Sequence, residues 1–213
     1  ITLGAAMESP GHAKRTTTIK KPAFALGEID GSNTDRVNKL TQIFSNVGIS
    51  RVTENLLGER WSKLVTNCMS NPICSLTGLT SEQVRINKIS RQVSINIATE
   101  IISIGFEKGI QIEKIVGIDP NLFLTANESK QNFSMLEEKI INGAKTFGSG
   151  KPSMSQDIVK SRKTEINELN GYVLKLSQNT KTNPVTNAAI VELIKKLEKR
   201  EINPTINNLN ELI

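Results

Sequence analysis

The chain has 213 residues, enough for one large domain or for one domain and part of another. No apolar run approaches the length of a membrane span and no signal peptide is visible, so we expect no membrane partner. One histidine and two cysteines are too few for a zinc ligand set, a histidine-dependent nucleophile or a disulfide framework. We expect no metal, and the sparse cysteines, Cys68 and Cys74, fit a reducing compartment such as the cytoplasm.

The formal net charge of +6 fits either a nucleic acid or an anionic small molecule as partner. Acidic and basic residues alternate along residues 192–201, as on a solvated helix face, and only residues 12–21 form a basic patch. Aromatic residues make up 4% of the chain, too few for a base-stacking surface, so we expect no nucleic-acid partner. His12 follows Pro10-Gly11 and is predicted to lie in a loop.

Residues 1–54 read as the end of an α/β domain. Short β-type stretches at residues 16–19 and 23–26 are flanked by turn signals at residues 9–11 and 30–33. Residues 34–47 then have the apolar spacing of a helix, which Gly48 ends, and residues 50–53 predict another short strand.

From residue 55 the pattern is helical up to the end of the chain, and we predict a mainly α fold for residues 55–213. Pro72 disfavours a helical conformation at Asn71, so a break is expected there. The predicted helices cover residues 59–70, 81–108, 153–161, 165–177 and 185–201. Residues 121–145 hold one or two more, and residues 204–212 close the chain.

One amine and two carboxamides recur every four residues in the first of these helices. Lys63, Asn67 and Asn71 therefore fall along one helix face, next to apolar neighbours. A small polar ligand with several acceptors would suit this line of donors. The alternatives are a lysine that extends its head to water and asparagines that bond locally near Pro72.

A second dense motif begins at Ser153. Its structural interpretation is that Ser153 and Gln156 form a capping box and that Thr164 caps the following helix. Its functional interpretation is that the Ser153 hydroxyl, at a helix start, holds the carboxylate of a small acid. In that arrangement Glu165 could face Lys63 and keep the ammonium charged and oriented.

Reduction of a ketone needs a proton at the oxygen, and a lysine can donate it. Asparagines can hold the substrate without competing for that proton. Asp157, in the first turn after Ser153, is either a substrate contact or a solvated carboxylate that complements the helix dipole.

Together these motifs resemble the 2-dehydropantoate 2-reductase (ketopantoate reductase) family. The resemblance covers nearly the whole chain. Its motif residues are Trp61, Lys63, Asn67, Asn71 and Pro72, then Ser153, Met154, Gln156 and Asp157, then Arg162, Thr164, Glu165, Ile166, Asn170 and Gly171.

The resemblance implies NADPH-dependent reduction of 2-dehydropantoate to (R)-pantoate, on the way to pantothenate and coenzyme A. It implies the end of a Rossmann domain at residues 1–54 and an all-helical domain of the 6-phosphogluconate dehydrogenase C-terminal-like type at residues 55–213. It also implies a cytoplasmic enzyme and a homodimer formed through the helical domain. The implied catalytic residues are Lys63 and Glu165, Glu165 also lying at the nicotinamide end of the cofactor, and the implied substrate-binding residues are Asn67, Asn71, Ser153 and Asp157.

Two features depart from the family pattern. The Gly-rich phosphate loop of a dinucleotide fold is not found, and residues 148–150, Gly-Ser-Gly, have neither a preceding strand nor a third glycine. We therefore expect a fragment that lacks most of the cofactor site and has no reductase activity alone. The stretch between Asn71 and Ser153 is also longer than in compact bacterial enzymes, which leaves the identity of the keto acid open.

Three alternatives stay open at this point. The first is a reductase of another 2-oxo acid or of an imine with the same lysine helix. The second is a non-catalytic helical dimerisation module, whose marker would be a closed pocket with Lys63 directed into solvent. The third is a nucleic-acid binder that uses residues 12–21, which the mixed charges and few aromatic residues disfavour.

Overall fold

In the computed structural model the chain falls into two compact units, Ile1–Arg60 and Trp61–Ile213. The domain boundary that we predict after residue 54 stays a prediction. The structure describes residues 5–15, 22–126, 128–144 and 151–212.

The first unit begins with an antiparallel hairpin of strands β1 (Ala5–Ser9) and β2 (His12–Arg15). Gly11 has a φ of 77°, the positive value that the third position of a type II turn requires. The turn is so short that His12 already pairs with Ser9. The prediction of a loop at His12 is therefore wrong, because the chain has reversed before this residue.

The rest of this unit is a parallel strand-helix-strand unit, as predicted. Strand β3 (Phe24–Leu26) pairs in parallel with β4 (Ser50–Val52), and helix α1 (Asp35–Ser45) connects them. The Thr34 hydroxyl caps α1 by accepting a hydrogen bond from the Val37 amide at 3.3 Å. The strand predicted at residues 16–19 lies outside the described residues.

The second part of the chain is built from helices and confirms the mainly α fold class. Among the described helices none is long and apolar enough to cross a membrane. The helices are α2 (Leu56–Cys68), α3 (Asn71–Thr77), α4 (Ser81–Ile86), α5 (Lys88–Glu107), α6 (Pro120–Thr125), α7 (Lys130–Ala144), α8 (Ser153–Val159), α9 (Asn170–Leu176) and α10 (Val185–Glu198), followed by a 3-10 helix (Ile206–Leu212).

One long predicted helix is in fact two. Residues 81–108 were expected to be continuous, but Asn87 adopts an extended conformation between α4 and α5. Its side-chain oxygen accepts a hydrogen bond from the Ser90 amide at 3.0 Å and so caps α5. The capping bond replaces the helical continuation that the apolar spacing alone predicts.

Helix α5 forms the centre of the hydrophobic core. Val93, Ile97 and Ile101, spaced four residues apart, are completely buried. Trp61 of α2 packs on this helix, and its indole nitrogen donates a hydrogen bond to the carbonyl of Ile101 at 3.2 Å. Since Trp61 lies two residues before Lys63, this contact helps to fix the position of the lysine.

A buried chain of polar groups ties the end of α2 to α5 through α9 and α10. Asn170 donates to the carbonyl of Cys68 at 3.4 Å and to the side-chain oxygen of Asn187 at 2.9 Å. Asn187 in turn donates to the carboxylate of Glu100 at 2.6 Å. Both asparagines are fully buried, so these bonds hold the helices in one arrangement.

We expect Glu137→Ala to lower the free energy of unfolding by about 2 kcal/mol. Arg91 is 6% exposed, and its guanidinium donates twice to the Glu137 carboxylate, at 2.9 and 2.6 Å. Removing the acid leaves a buried cation whose remaining bonds are to carbonyls, while partial exposure of Glu137 keeps the cost moderate. Urea unfolding measures the loss. The adjacent, exposed Glu138→Ala serves as control, and equal stability of the two variants would contradict the assignment.

Candidate functional site

Lys63 lies on the outer side of α2, between groups that face inward. Ser62 donates its hydroxyl to the carbonyl of Lys114 at 2.9 Å, and Val65 is fully buried. The Lys63 side chain reaches solvent, but partial burial lowers the pKa of its ammonium. A lysine with a lowered pKa releases its proton more readily than an ordinary one, which suits a proton donor.

Asn67 lies on α2 together with Lys63, whereas Asn71 lies on the next helix. Helix α2 ends at Cys68, and α3 begins at Asn71 with Pro72 in its first turn. The helix breaks at Met69 and Ser70, just before the predicted position, and Asn71 itself is helical. The predicted single face is wrong at Asn71 because the helix is interrupted. Both asparagines are half-buried, and within the described part of the chain neither carboxamide makes a hydrogen bond. The capping alternative for them is therefore not observed.

Ser153 is the first residue of α8 and does not cap it. Pro152 occupies the capping position, and Gln156 donates to the carbonyl of Lys151 at 3.3 Å instead of closing a capping box. The capping-box interpretation is wrong because the helix starts one residue earlier than that motif requires. The Ser153 hydroxyl is exposed and makes no hydrogen bond to any described group.

Helices α3 and α8 lie against each other. The hydroxyls of Ser75 and Ser155 are 3.2 Å apart, and both serines are buried. This contact places side by side the helices whose first residues are Asn71 and Ser153. Asp157, one turn further along α8, is half-buried, and its carboxylate has no ion-pair partner among the described residues.

Glu165 projects outward from the turn between α8 and α9. Its neighbours Thr164 and Ile166 are buried, whereas Glu165 is exposed. Thr164 does not cap the next helix as predicted, because its amide and hydroxyl both donate to Glu198 at 2.7 Å. In the described structure no ion pair joins Glu165 to Lys63, so the direct contact that we expected is not observed.

The structure thus brings some of the candidates onto adjoining helices and leaves all of their polar heads unengaged by described protein groups. None of the candidate side chains lines any of the following three cavities. One open basin is lined by residues between Glu28 and Arg36, and two small hollows surround Met69 and Arg85. The six candidates are Lys63, Asn67, Asn71, Ser153, Asp157 and Glu165.

The site contains neither a metal centre nor a reactive thiol within the described residues. No group of three potential metal ligands occurs in the described ranges. Cys68 and Cys74 are buried free cysteines, and burial raises the pKa of both thiols, which keeps them protonated. The polar groups of the six candidates are one amine, two amides, one hydroxyl and two carboxylates.

A parallel strand-helix-strand unit followed by a unit built from helices defines the class, a mainly α protein with a small α/β part. Residues 55–198 match the family described as "Ketopantoate reductase PanE/ApbA C terminal", and the chain belongs to this family. The resemblance seen in the sequence is thereby confirmed, and all six candidates lie within the matched segment.

Curated relatives carry the same name at low identity. The 2-dehydropantoate 2-reductase of Pyrococcus abyssi is 24% identical over 201 residues, which are 94% of this chain and 59% of the relative. That of Mesorhizobium japonicum is 26% identical over 192 residues, 90% of this chain and 52% of the relative. The chain thus spans between half and three-fifths of the length of these relatives.

Solved structures show the same fold. A PanE/ApbA family ketopantoate reductase from Ralstonia eutropha JMP134 has a TM-score of 0.68 at 18% identity, over 93% of this chain and 58% of that one. A D-mandelate dehydrogenase in complex with NADH has a TM-score of 0.71 at 17% identity, over 93% and 60%. At these identities the likeness establishes the fold alone.

Proposed function

We propose that this chain carries the catalytic and substrate-binding groups of a reductase that converts 2-dehydropantoate to (R)-pantoate with NADPH. The observation that carries the proposal is that six polar side chains in the family segment have heads unengaged by any described protein group. Polar groups on an ordered backbone that have no partner among the described residues are available for a ligand.

In the proposed reaction Lys63 protonates the carbonyl oxygen while a hydride arrives at the carbonyl carbon. The ketone thus gains two electrons and two hydrogens and becomes an alcohol. NADPH, when bound, supplies the hydride. Partial burial lowers the pKa of Lys63, which makes the transfer of its proton to the developing alkoxide more favourable.

Substrate binding is proposed for four of the other candidates. Asn67, one turn after Lys63, and Asn71, at the start of α3, offer amide donors for the hydroxyl and keto oxygens. Ser153, on the adjoining helix α8, offers a hydroxyl to the carboxylate, and Asp157 is proposed as a further polar contact. Glu165 is proposed to support Lys63 or the nicotinamide end of the cofactor.

We propose that this chain contacts NADPH only at its nicotinamide end. The parallel pair β3 and β4 with α1 between them has the form of a dinucleotide-domain segment, but the chain has no Gly-rich phosphate loop. Within this chain Glu165 is the residue proposed to lie near the nicotinamide. We propose that residues outside this chain bind the phosphates, and we call the assembly of both parts the complete reductase.

The pH dependence of kcat is expected to reflect the pKa of Lys63. A general acid must be protonated, so kcat is constant below its pKa and falls as the pH rises through it. Because burial lowers this pKa, the fall should be centred below 10.5, the ordinary lysine value. Kinetics of the complete reductase across alkaline pH measure the midpoint. In Lys63→Arg, whose guanidinium stays charged, this limb should disappear, and an unchanged limb would contradict the role.

The substrate is tested by a panel of carbonyl compounds with the complete reductase. Oxidation of NADPH is followed with 2-dehydropantoate, with other 2-oxo acids and with a cyclic imine, and each is repeated with NADH. The highest kcat/KM is expected for 2-dehydropantoate with NADPH. A higher kcat/KM for another acid or for the imine would identify that compound as the substrate instead of 2-dehydropantoate. No turnover of any compound would support the non-catalytic helical module.

Compartment and assembly are part of the same proposal. Free, buried cysteines fit the reducing cytoplasm. A homodimer through the helical domain is proposed from the family resemblance, and light scattering of the complete reductase measures the oligomeric state.

A further inference from the structure

The turn that carries Glu165 is tied to the far end of another helix. Residues 160–169 connect α8 to α9, and Glu165 is exposed between two buried neighbours. A carboxylate that supports a reacting lysine or a cofactor must be held in place, because misplacement by about 1 Å can cost a hundredfold in rate. The groups that hold this turn therefore bear on the reaction.

Glu198, the last residue of α10, binds the turn at Thr164. One carboxylate oxygen accepts from both the amide and the hydroxyl of Thr164, each at 2.7 Å. Thr164 is 4% exposed, and its hydroxyl also accepts from the Ile166 amide at 3.3 Å. The backbone before Glu165 is thus fixed by a bond to a charged acceptor, which is stronger than a bond between neutral groups, and the backbone after it by a bond to the Thr164 hydroxyl.

Arg200 binds the same segment at a second point. Its guanidinium donates to the hydroxyl of Ser161, which lies just after α8. Both residues have left-handed backbones, with φ of 61° at Arg200 and 54° at Ser161. The backbone therefore turns sharply after α10 and after α8, at the point where the two residues meet. We call Glu198 and Arg200 together the α10 clamp.

The position of Glu198 is unfavourable for the helix itself. A carboxylate at the C-terminus of a 14-residue helix meets the negative end of the helix dipole. Its contact with Thr164 offsets this repulsion, so the contact with the turn, and not the stability of α10, accounts for an acid at this place.

We infer that the α10 clamp positions Glu165 for the reaction. Glu198 and Arg200 are positioning residues, since their described contacts are to Thr164 and Ser161. The inference rests on the proposed function, because it presupposes that Glu165 takes part in turnover.

The test is a double-mutant cycle between Glu198 and Glu165 in the complete reductase. The kcat/KM for 2-dehydropantoate with NADPH is measured for Glu198→Ala, for Glu165→Ala and for the double variant. Glu198→Ala is expected to lower kcat/KM roughly tenfold to a hundredfold. The double variant is expected to be no slower than Glu165→Ala alone, because without Glu165 there is nothing left to position.

Additive losses in the cycle, or a normal rate for Glu198→Ala, would overturn the inference. A normal rate for Glu165→Ala would instead remove Glu165 from the proposed function, so the two failures are distinguishable. Glu198→Gln keeps an acceptor oxygen for Thr164 and should lose less than Glu198→Ala. An equal loss would also count against the clamp.

Two further variants complete the design. Glu192→Ala removes an exposed carboxylate of the same helix, whose partner among the described residues is Lys195 at 3.4 Å, and it should leave kcat/KM unchanged. If Glu198→Ala does not fold, Arg200→Ala, at the exposed end of the clamp, enters the same cycle with Glu165→Ala. It should lower kcat/KM only where Glu165 is present.

Discussion

Replacing Lys63 by alanine should lower kcat of the complete reductase by roughly a hundredfold to ten-thousandfold, the usual contribution of a general acid. The fold should not change, because Lys63 is exposed and makes no ion pair with any described residue. Its free energy of unfolding should stay within about 0.5 kcal/mol of the unmodified protein, as for other surface substitutions. Steady-state kinetics and urea unfolding measure the two quantities separately.

The control for this experiment is Lys88→Ala, which removes an exposed ammonium from the first position of α5. It should leave kcat unchanged. A near-normal kcat in Lys63→Ala would rule out the proposed proton donor, whereas a loss of kcat together with a large loss of stability would show that Lys63 acts through the fold. Comparing the loss of kcat with the loss of stability therefore separates the chemical role of Lys63 from a structural one.

The fold was predictable where local patterns are strong. Helix α1 has a capping threonine at Thr34 and a glycine after its end, and its predicted extent is close to the observed one. The helix predicted over residues 81–108 shows the limit of this approach. Apolar residues continue in phase across Asn87, so periodicity does not reveal that its side chain caps a new helix.

The candidate site was predictable only in part. Motifs identify its residues, whereas contacts between residues far apart in the sequence determine its geometry. Ser153 and Gln156 have capping-box spacing, yet the helix begins with Pro152 as its cap. Thr164 looks like a capping residue, yet it bonds to Glu198, 34 positions away. No local pattern identifies such a partner, so the anchoring of Glu165 becomes visible only in the folded chain.

A methyl group added at Gly105 should destabilise the protein by about 3 kcal/mol, the cost of overpacking a tight core together with a weakened buried hydrogen bond. A β-carbon there would lie 2.6 Å from the indole nitrogen of Trp61 and 2.7 Å from a methyl group of Ile112. Both neighbours are buried, so neither can move without displacing the core. Urea unfolding of Gly105→Ala measures the loss.

The matched control is Gly143→Ala in α7, where an added β-carbon meets no described atom within 4 Å. Alanine is the better helix former, so this variant should be unchanged or more stable by up to about 1 kcal/mol. A loss at Gly143 equal to that at Gly105 would show that the space around Gly105 is not the cause.

The clash at Gly105 also reaches the site through Trp61. The Trp61 indole donates to the carbonyl of Ile101 on α5, and Trp61 lies two residues before Lys63 on α2. Displacing the ring therefore shifts the backbone that carries Lys63. Gly105→Ala should therefore lower kcat as well as stability. Glu137→Ala should lower stability alone, because the pair of Arg91 and Glu137 belongs to a different helix contact, between α5 and α7. Trp61→Leu makes room for the methyl group, so the double variant Gly105→Ala with Trp61→Leu should lose less stability than the sum of the single losses. Simple additivity would show that the two side chains do not compete for the same space.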